Sequence, residues 1–483
     1  MKNKIKIFII SVITLGLFSI VSCEDRLNIQ PQTQLTDLKT FSDIKSALNG
    51  CYLGFKSASY YNNTASSGTP SAWSALPDLM GDDFIEALES LGNWRQMSEM
   101  SYNSDNSVPL GAYRQPYEII SRANNILESI APFELDPTTK TEAAIIKAQV
   151  LAIRAHAHFD LMRYFAPDFA RNSTSLAIPY VKTFDALNPF SSLPSRNTVK
   201  EVYDNIYSDL NASLIEFRKG GNLSDNTSRN FIDSVTVYAM RTRVNYYASQ
   251  WTAVISDANI VLSNRPVSNS SDYVAVFSTA GEATPPSEVI WAIPSDAALS
   301  PGGAISGANP NYRVATPLSN IIQSLGGVYV NTGINRFNQV GNGGFQRTLC
   351  WKYPGVRSFK VFRAGEILLM RAEAKQRVSD LTALTDLNSL RINRDVAIGV
   401  ETGTALLDAI TLLRRVELLG EGHRWFDLKR TTKSINRTEC GVTGASTSNT
   451  CVVAPTSRAW AFPIPFNERK VNPNLVQNAG YDN

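Results

Sequence analysis

The stretch TEAAIIKAQVLAIRAHAHFDLMRYF, running from Thr141 to Phe165, decides the fold class. Small and aromatic side chains recur along it at i, i+3 and i+4 spacing, as at Ala152, Ala155, Phe159 and Met162, which is the period of a helix face. Alanines at such positions let a second helix approach closely, the way tetratricopeptide-like hairpins pack. Comparable periodicity spans Phe41 to Phe55, Tyr113 to Ile130, Thr198 to Arg218, Asp233 to Leu262, Ser358 to Arg377, Thr382 to Arg394 and Ala405 to Leu419. The expected fold is mostly α: tetratricopeptide-like stacked helical hairpins with large irregular loop insertions and little β. No consensus repeat is recognisable.

Two stretches interrupt the helical period, at about 60–109 and 264–355. Gly, Pro, Ser and Asn dominate the second, whose one short strand candidate is Glu288 to Ile293; Trp291 inside it reads as core. Long ordered loops within a compact domain are usually functional, so these insertions are where a ligand site is sought.

Ahead of the helices stands MKNKIKIFIISVITLGLFSIVSC, residues 1–23. Lys2, Lys4 and Lys6 form a positive n-region, and Ile7 to Val21 an apolar core within the ~7–15 residues of a signal h-region and short of the ~20 needed to span a bilayer. Ser19-Ile20-Val21-Ser22-Cys23 resembles a bacterial lipobox, in which cleavage precedes the cysteine and the cysteine is acylated. Residues 1–22 are thus read as a lipoprotein signal peptide and 23–40 as a lipidated tether, with Cys23 the anchor. The body is a single unit, 41–483. Each buried acyl methylene contributes about 0.8 kcal/mol to membrane retention. Glu24-Asp25 resembles the acidic tag that directs lipoproteins of Bacteroidetes to the outer face of the outer membrane.

The chain of 483 residues carries 46 Lys+Arg against 43 Asp+Glu. Three of the 46 are signal lysines, so the mature form is formally neutral and has no basic signature for nucleic acid. Aromatics at 10%, with many Ser, Thr and Asn, make a surface able to bind sugars. With Cys23 acylated, Cys51, Cys350, Cys440 and Cys451 remain and allow three pairings. Cys440 and Cys451 are the expected disulfide, closing a flexible polar loop at a gain of about 3 kcal/mol. Cys51 reads as a small buried side chain.

Catalytic signatures are incomplete. Ser42-Asp-Ile-Lys45, Ser104-Asp-Asn106 and Ser224-Asp-Asn226 match two of the three penicillin-recognising motifs, but K-T-G or K-S-G is absent. His156 and His158, two apart on a helix, point to different sides and cannot share a metal. Gly341-Asn-Gly-Gly344 lacks the lysine of a phosphate loop. No catalytic residue, metal or cofactor is expected.

Four blocks converge on one family. Arg154 to Phe165 (RAHAHFDLMRYF), Arg363 to Ala374 (RAGEILLMRAEA) with Leu387 to Arg391, Arg414 to Arg430 (RRVELLGEGHRWFDLKR), and Phe462 to Glu468 with Asn472 to Tyr481 resemble, in order, the helical motifs and C-terminal segment of the SusD/RagB family of outer-membrane nutrient-binding lipoproteins. The physical reading of the third block is structural: Glu417, Glu421 and Asp427 can pair with Arg414, Arg424 and Arg430, while Trp425, Phe426 and Leu428 supply the buried side. Its alternative is a ligand clamp of Arg424, Trp425 and Asp427. His423 reads as a structural hydrogen-bonding residue, and Pro463-Ile-Pro465 as extended chain.

The resemblance implies a non-catalytic, surface-exposed protein on the extracellular side of the cell outer membrane. It would capture oligosaccharides, or oligopeptides in some members, and deliver them to a SusC-like TonB-dependent transporter. A surface glycoside hydrolase is the rival from another class, and a purely structural adaptor a third reading. Family binding residues lie outside the four blocks, so candidates come from the chemistry of the insertions. Trp73 and Trp94 are the expected stacking platforms, with Asp82, Asp83, Asn93 and Arg95 as polar partners. Tyr312, Arg313, Tyr329 and Trp351 have similar loop settings in the second insertion.

Overall fold

The computed structural model describes residues 37–62, 72–87, 90, 92, 94–185, 192–222, 227–295, 305, 311–330, 334–340, 346–353, 355–440 and 450–481. The signal segment, Cys23, the tether up to residue 36 and Asn93 lie outside the described residues.

The principal helices are α1 (Phe41–Phe55), α2 (Ser107–Ser129), α3 (Lys140–Phe165), α4 (Val199–Gly220), α5 (Ser234–Tyr247), α6 (Trp251–Asn264), α7 (Ala364–Arg377), α8 (Ala383–Ile392), α9 (Gly403–Glu417) and α10 (Arg424–Arg430). Capping chemistry explains several starts. The Thr40 and Thr198 hydroxyls accept from the Asp43 and Glu201 amides, whose carboxylates bond back to the cap amides. Helices adjacent in sequence pack on one another from α1 through to α7, which also carries α8 and α9. That serial packing is the signature of stacked hairpins rather than a closed bundle.

Helix α3 lies at the centre, buried on every face. Its alanines, among them Ala148, Ala152 and Ala155, are fully buried and leave room for α2 and α4. Most buried polar residues on α3 find partners within the fold, the Arg163 Nε being an exception. The Arg154 guanidinium binds Asp209 of α4 at 2.7 and 2.8 Å and Asn124 of α2 at 2.9 Å, tying three helices together. Asp160 accepts from Tyr60 and Tyr61 at 2.7 and 2.9 Å and pairs with Arg163.

Two expected helices are divided. Asp233 to Leu262 breaks after Tyr247, where Ser249 adopts a left-handed backbone (φ 56°) and the Gln250 amide reaches back to the Asn245 carbonyl at 2.8 Å, as in a Schellman-type helix end. Ser358 to Arg377 begins as a strand: Phe359–Arg363 pairs antiparallel with Val289–Ile293 before α7 starts. Its short apolar run fits a fully buried strand as well as a helix turn, and pairing settles it.

The second insertion is more ordered than its composition suggests. It holds the helix Thr316–Leu325 and strand pairing. In chain order the strands are β1 (Phe84–Glu86), β2 (Val289–Ile293), β3 (Tyr312–Val314), β4 (Asn335–Val340), β5 (Gln346–Cys350), β6 (Phe359–Arg363), β7 (Ile435–Asn436) and β8 (Val452–Val453). An antiparallel sheet runs β1-β3-β5-β4, with Ile85 opposite Arg313, Val314 opposite Thr348 and Asn335 opposite Cys350. It draws one strand from the first insertion and three from the second. Trp291 on β2 is fully buried against Phe55 and His156. Cys440 and Cys451 form a disulfide beside the β7–β8 pair, and Cys51 and Cys350 are buried and outside any disulfide.

The third motif block makes only one of its expected local pairs, Arg414 to Asp427 at 2.8 Å. Glu417 and Glu421 instead join a sealed web with Arg363, Arg394, Lys352 and Glu288, three cations against three anions. Arg363 bonds Glu288, Glu417 and Glu421 at 2.7, 2.5 and 2.6 Å, and Arg394 bonds Glu288 and Glu417, both at 2.9 Å. Burial alone would raise the Glu417 carboxyl, but Arg394 and Arg363 outweigh it and hold it well below the usual carboxylate range. Arg424 pairs with Asp82 and Arg430 with Glu373. Partners come from distant segments because the insertions and strands that carry Asp82, Glu288, Lys352 and Arg363 pack onto this corner in the assembled fold.

Candidate functional site

Trp94 heads a short turn of helix, Arg95–Ser98, that lies over β3. Its backbone is left-handed (φ 63°), uncommon and strained for a bulky residue, and Gly92 two residues earlier is also positive (φ 77°). This turn lays the indole along Tyr312, ring centroids 6.3 Å apart and planes 22° from parallel. Tyr312 is buried, and its hydroxyl donates to Ser98 Oγ at 3.2 Å. It therefore backs Trp94, while Trp94 itself is half-buried.

Beside the rings, Arg95 Nε and Nη2 grip the two oxygens of Glu86 on β1 at 2.8 and 3.0 Å. The Arg95 side chain is 39% exposed and Glu86 wholly buried. The bond to Glu86 holds the guanidinium above its ordinary value. On β3, Arg313 Nη2 donates to Glu439 at 2.9 Å, and Glu439 also accepts from the Thr316 amide at 2.6 Å. Burial pushes the Glu439 carboxyl up, but the Arg313 bond and Thr316 more than reverse it, so it stays anionic. Glu439, which braces the strand under the platform, directly precedes Cys440 of the Cys440–Cys451 disulfide. Trp351 follows β5, half-buried, its amide donating to the Ile334 carbonyl at 2.6 Å.

The sheet thus brings Trp94, Arg95, Tyr312, Arg313 and Trp351 onto one framework, although they come from two separate insertions. Four other expected residues serve the core. Trp73 is 2% exposed, stacked on Tyr60 at 4.4 Å and edge-on to Tyr164 at 5.2 Å, so it offers no face to a ligand. Tyr329 is fully buried and donates to Glu417 at 2.5 Å. Asp82 is held bidentate by Arg424 at 2.6 and 3.0 Å, and buried Asp83 is paired with Arg415. These aspartates fasten β1 to the α9–α10 corner and have no carboxylate left for a ligand. The same contacts dissolve the alternative clamp reading: Arg424 is spent on Asp82, and Trp425 is fully buried.

The histidines are structural. His158 Nδ1 meets the Arg154 carbonyl at 2.9 Å and Nε2 accepts from the Val181 amide at 3.0 Å, an arrangement suited to the neutral ring. His156 contacts the Tyr61 hydroxyl at 2.8 Å. Burial lowers them to about 3 and about 4 respectively. The backbone amide of His423 donates to Asp78 at 3.0 Å, with those of Gly422 and Arg424 at 3.0 and 2.9 Å, capping α10. Among the described residues no cluster of His, Cys, Asp and Glu could hold a metal, and no helix is long and apolar enough to cross a membrane.

A feature absent from the sequence expectations is a cleft of about 550 Å³ between α1 and α2, lined by Ser46, Gly50, Ser57, Glu118, Arg122 and Phe184 among others. The small residues Ser46, Gly50 and Gly54 at helical spacing along α1, with Ser57 just past its end, were its available signal.

Residues 36–217 match the family model described as "Starch-binding associating with outer membrane", and residues 352–481 the model described as "SusD family". The chain is similar to the SusD-like protein P38 of Formosa agariphila, 22% identical over 99% of both chains. Among solved structures it resembles a SusD superfamily protein from Bacteroides vulgatus, with TM-score 0.76, 22% identity and coverage of 92% of this chain and 99% of that one. It also resembles a SusD-like carbohydrate binding protein from the same organism, with TM-score 0.74, 19% identity and coverage of 90% and 97%.

Proposed function

The chain belongs to the SusD/RagB family, and on that premise we propose that it is a lipid-anchored, non-catalytic protein on the outer face of the outer membrane. It captures oligosaccharides at the Trp94 platform and delivers them to a SusC-like TonB-dependent transporter. The observation that carries this reading is the half-buried Trp94 indole, backed by Tyr312 and flanked by the Arg95–Glu86 pair. A sugar ring presents C–H groups on one face and hydroxyls around its rim, so it stacks on an indole while guanidinium and amide groups take the hydroxyls. The left-handed backbone at Trp94 agrees with this use, since strain concentrates at binding sites.

Candidate members of the site are Trp94, Arg95, Asn93 and Trp351, with buried Tyr312 as support; Arg313, its side chain 12% exposed and paired with Glu439, braces the strand from the opposite face. The starch-binding description of the matched family model and the carbohydrate-binding character of one structural neighbour favour a glycan over a peptide. Acylated Cys23 and the tether to residue 40 would keep the body beside its transporter yet let it swing.

Soluble protein lacking residues 1–23 is the reagent that tests this reading. On affinity gels and in calorimetry against a panel of plant and host glycans, retention without cleavage is expected, together with its loss in Trp94→Ala. Release of shorter products would establish a hydrolase instead, and no retention by any glycan would leave the adaptor reading. In cells, Cys23→Ala is expected to abolish surface retention and uptake while the purified variant binds normally.

A further inference from the structure

The α1–α2 cleft of about 550 Å³ lies apart from the platform, and one glycine that lines it has no packing role. Glycine inside a helix costs stability, so each one asks for a reason. At Gly54 the reason is close approach: a Cβ there would stand 2.5 Å from Ile119 Cγ1 of α2. At Gly50, in the same helix, the nearest neighbour of a Cβ would be Arg122 Cδ at 4.0 Å, an ordinary contact. The packing of α1 on α2 thus leaves room for a side chain at Gly50, and that room is part of the cleft.

Accessible polar groups stand around it. Glu118 and Arg122 are four positions apart on α2, in the order that favours an ion pair, yet each turns elsewhere. Arg122 Nη1 donates to the Gly50 carbonyl of α1 at 2.9 Å, and Glu118 Oε2 accepts from Gln115 Nε2 at 3.1 Å. Both residues are exposed. The other guanidinium N–H groups of Arg122, Glu118 Oε1 and the hydroxyl of half-buried Ser121 make no hydrogen bond among the described residues. Half-buried Phe184 adds an aromatic wall that α2 fixes in place. Asn124 Nδ2 donates to the Val181 and Thr183 carbonyls at 3.1 and 3.2 Å, and the Phe184 amide donates to Glu128 Oε1 at 2.8 Å.

These groups select a neutral guest rich in hydroxyls. An anion drawn to Arg122 meets Glu118, and a cation drawn to Glu118 meets Arg122, whereas hydroxyls accept from the one and donate to the other. Ser46, Gln115 and Ser121 add uncharged partners, and the Phe184 ring suits the C–H face of a pyranose. The volume falls within the ~300–1,000 Å³ of small-molecule sites. We propose that this cleft is a second saccharide site, taking a mono- or disaccharide against α1, with Gly50 holding the space open. It is independent of the Trp94 platform. Because its charged groups are exposed, it binds weakly, at a strength read by saturation transfer rather than by retention on a gel.

The probes are D-glucose, maltose and cellobiose, with L-alanyl-L-alanine as a zwitterionic control. They are added to soluble protein that lacks residues 1–23 and carries Trp94→Ala, so that the platform is silent. Saturation-transfer NMR is expected to show at least one saccharide bound and the dipeptide unbound. Arg122→Ala and Gly50→Leu should each weaken that binding at least about tenfold, and Gly50→Ala should raise the melting temperature while weakening binding. Saccharide binding that survives Arg122→Ala or Gly50→Leu, binding of the dipeptide alone, or no binding at all would overturn the cleft site and leave the platform standing. A lower melting temperature in Gly50→Ala would assign the glycine to packing and also overturn it. Should Gly50→Leu not fold, Arg122→Ala decides the matter, because that side chain is exposed.

Discussion

The sealed web around Arg363 and the platform around Trp94 use the same residue types to opposite ends. Both set arginine against glutamate and both lay an aromatic ring alongside. In the web, Arg363, Arg394, Glu288 and Glu417 have essentially no exposed side-chain surface, and Tyr273 covers Arg394 at 4.0 Å. On the platform Glu86 and Tyr312 are sealed, but Arg95 and Trp94 keep part of their surface for contact. The contrast teaches that the charged motif blocks are instruments of folding, whereas the proposed binding chemistry sits in the insertions between them.

The largest expected effect tests the web. Glu417→Gln removes the carboxylate shared by Arg363 and Arg394 and leaves buried cations underpaired, so it should destabilise the fold by about 3–5 kcal/mol, read from urea denaturation. Ligand affinity of the fraction that remains folded should not change. Loss of affinity at unchanged stability would mean that the web and the platform are not separate.

A pH series probes the same interior. His156 and His158 are lowered by burial to about 4 and about 3, below the ~6.5 of an unfolded chain. As pH falls the unfolded chain therefore takes up protons first. The stability they contribute is complete above pH 6.5 and declines toward pH 4, by about 2 kcal/mol per histidine at pH 5. Buried Asp78, raised by burial to about 7, titrates in the opposite sense over the same range, so the effect is read as a difference: relative to His156→Phe, the wild type should lose about 2 kcal/mol of stability between pH 7.5 and 5. A difference that does not change with pH would place the His156 ring in contact with solvent.

Much of the architecture could be read from residues in order. The alanine-rich face of α3 and the capping threonines at 40 and 198 are local signals, and α1 runs over the bounds that its periodicity predicts. The site was far less legible, because exposure is a property of the assembled fold. Nothing local distinguishes Trp73, packed between Tyr60 and Tyr164, from Trp94 in a neighbouring stretch of similar composition. Likewise Asp82 and Asp83 meet arginines more than 300 positions away. The sheet that unites the two insertions depends on long-range strand pairing, which carries no short-range mark.

The platform side of the comparison is sharpened by Trp94→Ala. Removing the indole should weaken glycan binding about tenfold, the scale of one aromatic stacking contact. Stability measured in the same preparation should change much less than in Glu417→Gln, because the ring is only half-buried. A stability loss as large as that of the web variant would return Trp94 to the core and leave the platform without its stacking face.

The smallest effect separates strain from contact. At φ 63° an L-residue pays a left-handed penalty that glycine escapes. Trp94→Gly and Trp94→Ala both delete the indole, so both should lose binding equally. The glycine variant should nevertheless be the more stable of the two by up to about 1 kcal/mol, a difference within reach of paired thermal melts. If alanine proves as stable as glycine, the turn relaxes once the indole is gone, and the left-handed backbone is a consequence of stacking on Tyr312. If glycine wins, the backbone is imposed by the turn from Gly92 onward and holds the indole over Tyr312 before any ligand arrives, which lowers the ordering cost of binding.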